Sequence, residues 1–394
     1  MGPYRILTLN QISAQGLGRL PAESYTVGKA MDHPDAILVR SHDMHGMAIA
    51  PSVKAVGRAG TGTNNIPVAA LTRRGVPVFN APGANANAVK ELVLGALLLA
   101  ARNIVPALRY VASLDAGAPD LAARIEDGKK QFAGVELPQR TLGIIGLGAV
   151  GGLVADTAIR LGMKVIGFDP EITVEAAWRV PAGVRKANAL EEVLRDADFI
   201  SLHVPLVPRT HHLVDARRLA AVKPGAVLLN FARETIVDEQ AVLFALHSRR
   251  LRYYLCDFPG PALLHEPDVV ALPHLGASTV EAEENCAIMV VERVRAYLEQ
   301  GTIENAVNFP DVDMRRESPN RVAIAHANVP NMLGQISSAM AHLGLNIHNM
   351  LNKSRGETAY TLVDLDSPVG DEVIRSIVAI EGVLSARSIP GEPR

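Results

Sequence analysis

Short hydrophobic runs alternate with helical patterns over the N-terminal quarter of the chain. The runs at 4–9, 36–39, 53–57 and 76–80 are apolar, and each ends near turn-forming or polar residues. They predict β-strands, and their alternation with helices predicts a parallel sheet covered by helices. The apolar run Leu92–Ala101 is flanked by charges and has about half the length of a membrane span, so it predicts a buried helix.

The alternation resumes more clearly after residue 139. Strands are predicted at 140–145, 164–169, 199–204, 227–230 and 253–257. A helix is predicted at 149–161, between the first two of these strands. Another, long and amphipathic, is predicted at 281–299, so this part reads as a second α/β unit.

The C-terminal part has a different pattern. Residues 311–319 are polar, charged and interrupted by proline, which predicts a linker. Between 321 and 389 the order strand, helix, strand, strand, helix, strand predicts a small α+β domain.

Composition narrows the functional classes. A chain of 394 residues is too long for one core, so two or three domains are expected. The net charge of −2 argues against nucleic-acid binding, and no signal peptide or membrane segment is predicted. Two cysteines provide no disulfide framework, which favours the cytoplasm. His42 and His45 lack further ligands nearby in sequence, so no metal site is predicted.

A glycine motif lies between a predicted strand and a predicted helix, and an acidic residue ends the next strand. The cofactor candidates here are Gly146, Leu147, Gly148, Ala149, Val150, Gly151 and Asp169. The glycines permit a tight turn, close approach of a pyrophosphate and helix packing, while the helix N-terminus faces the phosphates. Asp169 can bind both ribose hydroxyls and would repel a 2′-phosphate, so NAD is predicted rather than NADP.

Several further segments carry a resemblance to a known family. They are 58–66, 80–85 with Glu91, 203–206, 230–234, Asp257 and 273–279. Together with the glycine motif, these segments resemble the D-2-hydroxyacid dehydrogenases over residues 1 to about 310. The resemblance implies two Rossmann-like, doubly wound parallel-sheet α/β domains, with the chemistry in a cleft between them. The implied domains are a discontinuous substrate-binding domain (1–98 and 280–310), an NAD-binding domain (99–279), a linker (311–320) and a C-terminal domain (321–394).

The resemblance also implies roles for individual residues. Removing a hydride from C2 of a hydroxy acid requires a base for the hydroxyl proton, and His274 is the candidate. Arg233 would hold the substrate carboxylate with its planar fork. Further cofactor contacts are implied for His203, Val204, Pro205, Ala232, Asp257 and Gly276. Substrate contacts are implied for Arg58, Ala59, Gly60 and Asn80.

One position departs from the family pattern. A glutamate that usually pairs with the histidine is replaced by Ala262. That carboxylate fixes the imidazole tautomer and favours the protonated ring. Glu266 or Asp268 on the same loop is a candidate substitute, and the sequence leaves this open.

The C-terminal segments 325–336 and 344–347 resemble the ferredoxin-like ACT domain, an amino-acid-binding regulatory module. By that resemblance His326, Asn328 and Asn346 match positions that contact L-serine. Asn331 replaces a glycine, and asparagine tolerates the left-handed backbone conformation better than most residues.

The combination implies NAD-dependent oxidation of D-3-phosphoglycerate to 3-phosphohydroxypyruvate, the first step of L-serine biosynthesis, by a homo-oligomer that is at least a dimer. Arg58, Lys90 and Lys129-Lys130 are candidate phosphate ligands. Two alternatives remain open. One is a family reductase of hydroxypyruvate or glyoxylate, and the other is an NAD-binding, corepressor-like protein with little turnover.

Overall fold

The structure, a computed structural model, describes residues 3–391. The chain forms two compact units. Unit 1 comprises Met1–Ala84 and Val280–Arg394, and unit 2 comprises Asn85–Thr279.

Unit 1 begins with a parallel α/β layer. Its elements are β1 (Tyr4–Leu9), α1 (Ala14–Leu17), β2 (Tyr25–Gly28), β3 (Ala36–Val39), β4 (Ala55–Arg58), α2 (Val68–Arg73) and β5 (Val78–Phe79). The five strands are parallel in the order β2-β1-β3-β4-β5. The four strands predicted here are confirmed, whereas β2 was missed because it is short and half of its residues are exposed.

Unit 2 contains a larger parallel sheet. Its elements are α3 (Ala86–Ala101), α4 (Ile104–Ala112), α5 (Leu121–Gly128), β6 (Thr141–Ile145), α6 (Ala149–Arg160), β7 (Lys164–Phe168), α7 (Val174–Ala177), β8 (Val184–Lys186), α8 (Leu190–Asp196), β9 (Phe199–Leu202), α9 (Ala216–Ala221), β10 (Ala226–Asn230), α10 (Glu239–His247), β11 (Leu251–Cys256) and β12 (Val269–Ala271). The seven strands are parallel in the order β12-β11-β10-β9-β6-β7-β8. The strand order reverses between β6 and β9, and such switch points bind ligands in open α/β sheets.

Helix α3 belongs to unit 2. Its buried residues Val93 and Leu97 share a hydrophobic core with Leu142, Ile144 and Val154. The unit therefore begins at Asn85, whereas the sequence placed the domain boundary between residues 98 and 99. The difference arises because the apolar face of α3 packs on β6 and α6.

Within the described residues, no single helix has both the length and the hydropathy to cross a membrane. The consecutive helices α3 and α4 have the required length and hydropathy only when they are taken together, and the pair is bent by 66° at the break between them.

The remainder of unit 1 adds a long helix and a small antiparallel domain. The elements are α11 (Val280–Gln300), β13 (Asn320–Ala327), α12 (Met332–His342), β14 (Ile347–Arg355), β15 (Thr358–Leu365), α13 (Asp371–Val378) and β16 (Val383–Pro390). The four strands are antiparallel in the order β14-β15-β13-β16. The order of elements, strand, helix, strand, strand, helix, strand, is the predicted one. Residues of α12 and α13 share a core with one face of this sheet.

The predicted linker is not a free connection. Val312 and Met314 are buried in the core that also contains residues of α11, and Val312 pairs with Ile303. The segment predicted as a linker at 311–320 thus connects α11 to β13 while two of its side chains pack in the core. The segment 311–319 is mostly charged or polar, but Val312 and Met314 alternate with its polar residues and pack inward.

The small domain is joined to the C-terminus of α11 through arginines. The guanidinium of Arg321 forms hydrogen bonds of 2.6 and 2.9 Å with Asp364, and both side chains are fully buried. Arg321 also donates to the Gln300 carbonyl, and Arg387 donates to the Leu298 carbonyl, each at 3.1 Å. Cations suit the negative end of a helix dipole, so these contacts bind the domain to the helix end.

We expect Asp364→Ala to lower the free energy of unfolding by about 3–5 kcal/mol, because it leaves the Arg321 charge buried without its partner. Asp156→Ala, which breaks the exposed pair with Arg160 on α6, is the control and should change stability little. Denaturant titration followed by circular dichroism checks both variants. Equal unfolding midpoints for the two variants would contradict the claim that the buried Arg321–Asp364 pair stabilises the fold.

Candidate active site

The glycine loop lies between β6 and α6, at the switch point of the seven-stranded sheet. Gly146 has a φ of +93°, and a Cβ atom there would lie 2.6 Å from the His203 carbonyl oxygen. A Cβ atom on Gly151 would lie 1.9 Å from the Gly146 carbonyl oxygen. Gly148 directly precedes α6, whose first residue is Ala149. Only glycine therefore fits at the turn and at the contact between loop and helix, as predicted from the motif.

Asp169 follows β7 and holds this loop. Its Oδ2 atom accepts a hydrogen bond of 2.9 Å from the Leu147 amide, and its Oδ1 atom accepts one of 3.0 Å from the Glu171 amide. The side chain is half-buried, so its carboxylate faces the edge where the loop ends. A tight glycine turn, a helix N-terminus and a carboxylate at the next strand end fit the pyrophosphate and ribose of NAD.

His203 follows β9 on the other side of the switch point. Its amide donates to the Ile145 carbonyl at 2.7 Å, and its Nε2 atom lies 2.8 Å from Ser201 Oγ. Burial lowers the pKa of His203 to about 4, so the ring is neutral near pH 7. The loop continues through Val204 and Pro205, whose carbonyl accepts from Thr210 Oγ1 at 2.6 Å. The sequence did not reveal Ser201 as the partner of this ring.

Arg233 lies in the loop after β10. Asn230 orders this loop, since its Oδ1 atom accepts from the Ala232 amide at 3.2 Å and its Nδ2 atom donates to the Arg233 carbonyl at 2.9 Å. The Arg233 side chain is half-buried and donates to the Ala232 carbonyl at 2.7 Å. Burial lowers the pKa of Arg233 below its usual range, but a guanidinium stays charged at neutral pH. A charged fork at a strand end can bind a carboxylate.

His274 follows β12 with a left-handed backbone, at a φ of +56°. Its amide donates to the Asp257 carbonyl at 3.0 Å. The buried Asp257 carboxylate accepts hydrogen bonds of 2.7 Å from the amides of Leu275 and Gly276. The Asp257 amide in turn donates to the Asn230 carbonyl at 3.2 Å. The loops of Arg233 and His274 are thus linked at one edge of the sheet.

The imidazole of His274 is exposed, and its aromatic neighbour is Phe258, with ring centroids 4.5 Å apart. Ala262, where the family pattern has glutamate, lies exposed in the short 3-10 helix Pro261–Leu263. Within the described residues, no ion pair of His274 with a carboxylate is found. The ring of Phe258 thus contacts His274. Phe258 lies on the same loop as Ala262, the position at which the family pattern has glutamate.

The two acids suggested as substitutes pair elsewhere. Glu266 Oε2 lies 3.1 Å from His247 Nε2, and Asp268 Oδ2 lies 3.8 Å from a terminal nitrogen of Arg249. Both partners lie at or just beyond the C-terminus of α10. The suggestion that Glu266 or Asp268 pairs with His274 is therefore wrong, because these side chains face the end of that helix.

The predicted substrate residues share the carboxyl edge of the five-stranded sheet in unit 1. Arg58 ends β4, and its Nε atom donates to Asn65 Oδ1 at 3.1 Å. Ala59 is buried, and the Gly60 carbonyl accepts from the Ala81 amide at 3.0 Å. Asn80 follows β5 and donates to the Thr61 carbonyl at 2.6 Å.

A cavity of about 540 Å³ opens at the same edge of unit 1, where β1 and β3 end. Lys29, Arg40 and His42 line it together with the polar residues that follow β1. Arg40 also pairs with Glu283 on α11 at 2.6 Å. Arg40 was not among the predicted site residues, although it follows β3 directly, just as Arg58 ends β4.

The lysines proposed as phosphate ligands lie in unit 2 beside acidic neighbours. Lys90 is 3.7 Å from Glu91, and Lys130 is 3.4 Å from Asp127. Lys129 contacts Glu126 and is exposed. Lys129 and Lys130 are exposed, as is typical of solvated charges, whereas the Lys90 side chain is mostly buried. The two exposed lysines are therefore weaker candidates for phosphate ligands than the arginines of unit 1.

The candidate serine residues of the small domain lie at opposite ends of its sheet. His326 is buried, with Nε2 2.8 Å from Thr361 Oγ1, and it pairs with Ala359 across β13 and β15. Asn328 follows β13 and donates to the Gly356 carbonyl at 3.0 Å. Asn346 precedes β14 and donates to Asp366 Oδ2 at 2.6 Å.

Comparison with known proteins gives a family match and relatives that align over most of this chain. Residues 94–276 match the family described as D-isomer specific 2-hydroxyacid dehydrogenase, NAD binding domain. D-3-phosphoglycerate dehydrogenase of Haemophilus influenzae is 33% identical over 86% of this chain and 82% of its own length. The enzyme of that name from Methanocaldococcus jannaschii is 38% identical over 68% of this chain, which spans only 50% of that relative.

Two solved structures extend the comparison to the fold. The TT0316 protein of Thermus thermophilus superposes with a TM-score of 0.62 and 29% identity over 77% of this chain and 99% of its own. The NAD⁺-bound 3-phosphoglycerate dehydrogenase of Entamoeba histolytica has a TM-score of 0.61 and 24% identity over 78% of this chain and 99% of its own, which shows a shared fold.

We expect stability to decrease with acidification because of His203. In an unfolded chain histidine titrates near pH ~6.5, whereas burial lowers the pKa of His203 to about 4. Between these values the unfolded chain binds more protons, so the free energy of unfolding falls as the pH falls. His203→Gln should reduce this loss in denaturant titrations at pH 7 and pH 5. The exposed His265→Gln is the control, and unchanged pH dependence in His203→Gln would refute the assignment.

Proposed function

The chain belongs to the family of D-isomer specific 2-hydroxyacid dehydrogenases, and on this premise we propose that it oxidises D-3-phosphoglycerate to 3-phosphohydroxypyruvate with NAD, the first step of L-serine biosynthesis. The observation that carries the proposal is the gathering of the glycine loop, Arg233 and His274 at the carboxyl edge of one parallel sheet. Relatives named for this reaction over most of the chain support the choice of substrate.

Unit 2 supplies the cofactor-binding groups of this proposal. NAD, when bound, accepts the hydride from C2 of the substrate. The residues that would hold it are the 146–151 loop, Asp169 at the ribose, and His203, Val204, Pro205, Ala232, Asp257 and Gly276 along the strand ends. The neutral His203 adds no charge beside a cofactor that carries phosphates.

Arg233 would bind the substrate carboxylate. Its half-buried position strengthens the attraction between guanidinium and carboxylate, because less water screens the pair. Its loop is ordered by Asn230, so the fork is held before substrate arrives. This geometry supports orientation of C2.

His274 would accept the hydroxyl proton of the substrate. A carboxylate partner would favour the protonated ring, and among the described residues His274 forms no ion pair with a carboxylate. A neutral ring accepts a proton, which suits oxidation, whereas reduction needs the protonated ring. The chain is therefore proposed to favour oxidation more than relatives that keep the glutamate.

Unit 1 would bind the phosphate end of the substrate. Arg58 and the cavity lined by Lys29, Arg40 and His42 provide cationic and hydrogen-bonding groups at one sheet edge. Ala59, Gly60 and Asn80 are the other proposed substrate contacts in this unit. A phosphorylated substrate needs such a cationic group for its phosphate.

The small domain is proposed to be a ferredoxin-like ACT domain that binds L-serine as a feedback effector. Its order of elements and the pairing of β13 with both β15 and β16 support this. His326 and Asn346 lie at opposite ends of β15, roughly 20 Å apart along the strand. A serine site that uses both would need two copies of the chain.

Dimer formation is supported by helix α4 of unit 2. None of its residues is buried, and Leu108 and Val111 are 63% and 53% exposed. A helix that exposes large apolar side chains within one chain is typical of a surface covered in an oligomer. We therefore propose a homo-oligomer that is at least a dimer.

A second candidate function is favoured by one specific observation. Glu266 and Asp268 pair away from His274, and no other carboxylate among residues 3–391 forms an ion pair with this histidine. A protein that binds NAD with little turnover, as in a corepressor, would tolerate this loss. The retained Arg233 and His274 favour the enzyme.

The activity is tested by NADH formation with D-3-phosphoglycerate. We expect His274→Ala and Arg233→Ala each to lower kcat/KM by about a hundredfold or more, since one removes the base and the other the carboxylate anchor. Faster turnover of glyoxylate or hydroxypyruvate would indicate the reductase alternative. NAD binding without turnover of any of these substrates would indicate the corepressor-like alternative.

The missing acid is tested in the same assay with Ala262→Glu, and Ala262→Gln serves as a control of equal size without charge. A carboxylate favours the protonated imidazole, so the acidic limb of the oxidation rate should move to higher pH and reduction at neutral pH should become faster. Identical pH profiles for the two variants would show that position 262 does not act on His274.

Regulation is tested by titrating L-serine against activity, with D-serine as the control. We expect millimolar L-serine to inhibit the wild-type protein and Asn346→Ala to abolish the inhibition, because the amide is one of the proposed contacts. A flat response of the wild-type protein to L-serine would exclude the feedback proposal while leaving the catalytic one intact.

A further inference from the structure

An ion pair connects two loops beside the glycine loop of unit 2. Both terminal nitrogens of the Arg209 guanidinium contact the carboxylate of Glu171. Glu171 lies two residues beyond Asp169 and donates its amide hydrogen to Asp169 Oδ1 at 3.0 Å. A basic side chain therefore contacts the loop that follows the cofactor acid, although the residues directly after Asp169 in the sequence provide none.

The backbone that carries Arg209 is held in place. Arg209 lies in the short 3-10 helix Pro208–Thr210, in the loop that follows β9. The Thr210 side chain is buried, accepts from the Val207 amide at 2.8 Å and donates to the Pro205 carbonyl at 2.6 Å. The backbone of Arg209 is therefore fixed near Glu171, while its long, exposed side chain could reorient toward another anion.

The position of this pair relates to the choice between NAD and NADP. In dinucleotide-binding folds the acid at the end of the second strand binds the ribose hydroxyls, and NADP-binding members carry an arginine nearby for the 2′-phosphate. Asp169 occupies the acid position, and Arg209 contacts Glu171, which follows Asp169 by two residues in the sequence. The guanidinium that a 2′-phosphate would need is thus present but neutralised by Glu171.

We propose that Glu171 is a second determinant of cofactor choice, because it occupies Arg209 and adds a negative charge where the 2′-phosphate of NADP would lie. The proposal rests on the proposed use of NAD and deepens it. Both side chains are more than half exposed, so the pair adds little to stability and its removal should leave the fold intact.

The test measures the affinities of NAD⁺ and NADP⁺ by isothermal titration calorimetry at low ionic strength. We expect Glu171→Gln to tighten NADP⁺ binding by at least about fivefold, since it frees a guanidinium and removes a repelling charge. The affinity for NAD⁺ should change by less than about twofold, because its ribose carries no phosphate at this position. The double variant Glu171→Gln/Arg209→Ala should lose most of the gain.

Glu175→Gln is the matched control, since it removes the same charge four residues further on, at the exposed start of α7. Equal gains in Glu171→Gln and Glu175→Gln would overturn the proposal in favour of a general charge effect, and an unchanged NADP⁺ affinity in Glu171→Gln would also overturn it. Failure of the wild-type protein to bind NAD⁺ would instead overturn the proposed function, and this proposal with it.

Discussion

Side chains at the strand ends of the seven-stranded sheet hold the backbone amides of the loops that follow. Asp169 binds the Leu147 amide, Asp257 binds the amides of Leu275 and Gly276, and Asn230 orders the loop of Arg233. Loops beyond a strand end have lost their ladder partners, so their amides need other acceptors. The glycine loop and the loops of Arg233 and His274 are each held by such an acceptor, which prepares them before any ligand binds.

The same arrangement explains how the site can lack an acid beside His274 and keep its shape. The Asp257 carboxylate and carbonyl hold the backbone of this loop, so the histidine does not depend on a side-chain partner for its place. Phe258 contacts the ring, while Glu266 and Asp268 face the end of α10. Backbone position and ring chemistry are therefore controlled by different residues.

Unit 1 shows how charge can join two domains firmly. One face of the small sheet shares a core with α11, and Arg321 and Arg387 bind the last carbonyls of that helix. The buried Arg321–Asp364 pair compensates the charge that this contact brings into the interior. The small domain is therefore packed on the rest of unit 1, and Val312 and Met314 of the connecting segment are buried in the same core.

Many local elements of this protein followed from the sequence. Period and composition predicted most of the strands and the helices α3, α6 and α11 to α13, and the glycine motif with Asp169 predicted the cofactor loop, because these features depend on neighbours a few residues apart. The short strands β2, β8 and β12 were missed. Side-chain partners across the fold did not follow. Arg209 with Glu171, Glu266 with His247, and Val312 in the core are contacts between segments far apart in the chain. Only the tertiary structure decides such contacts, since spacing along the chain holds no information on which loops meet in space.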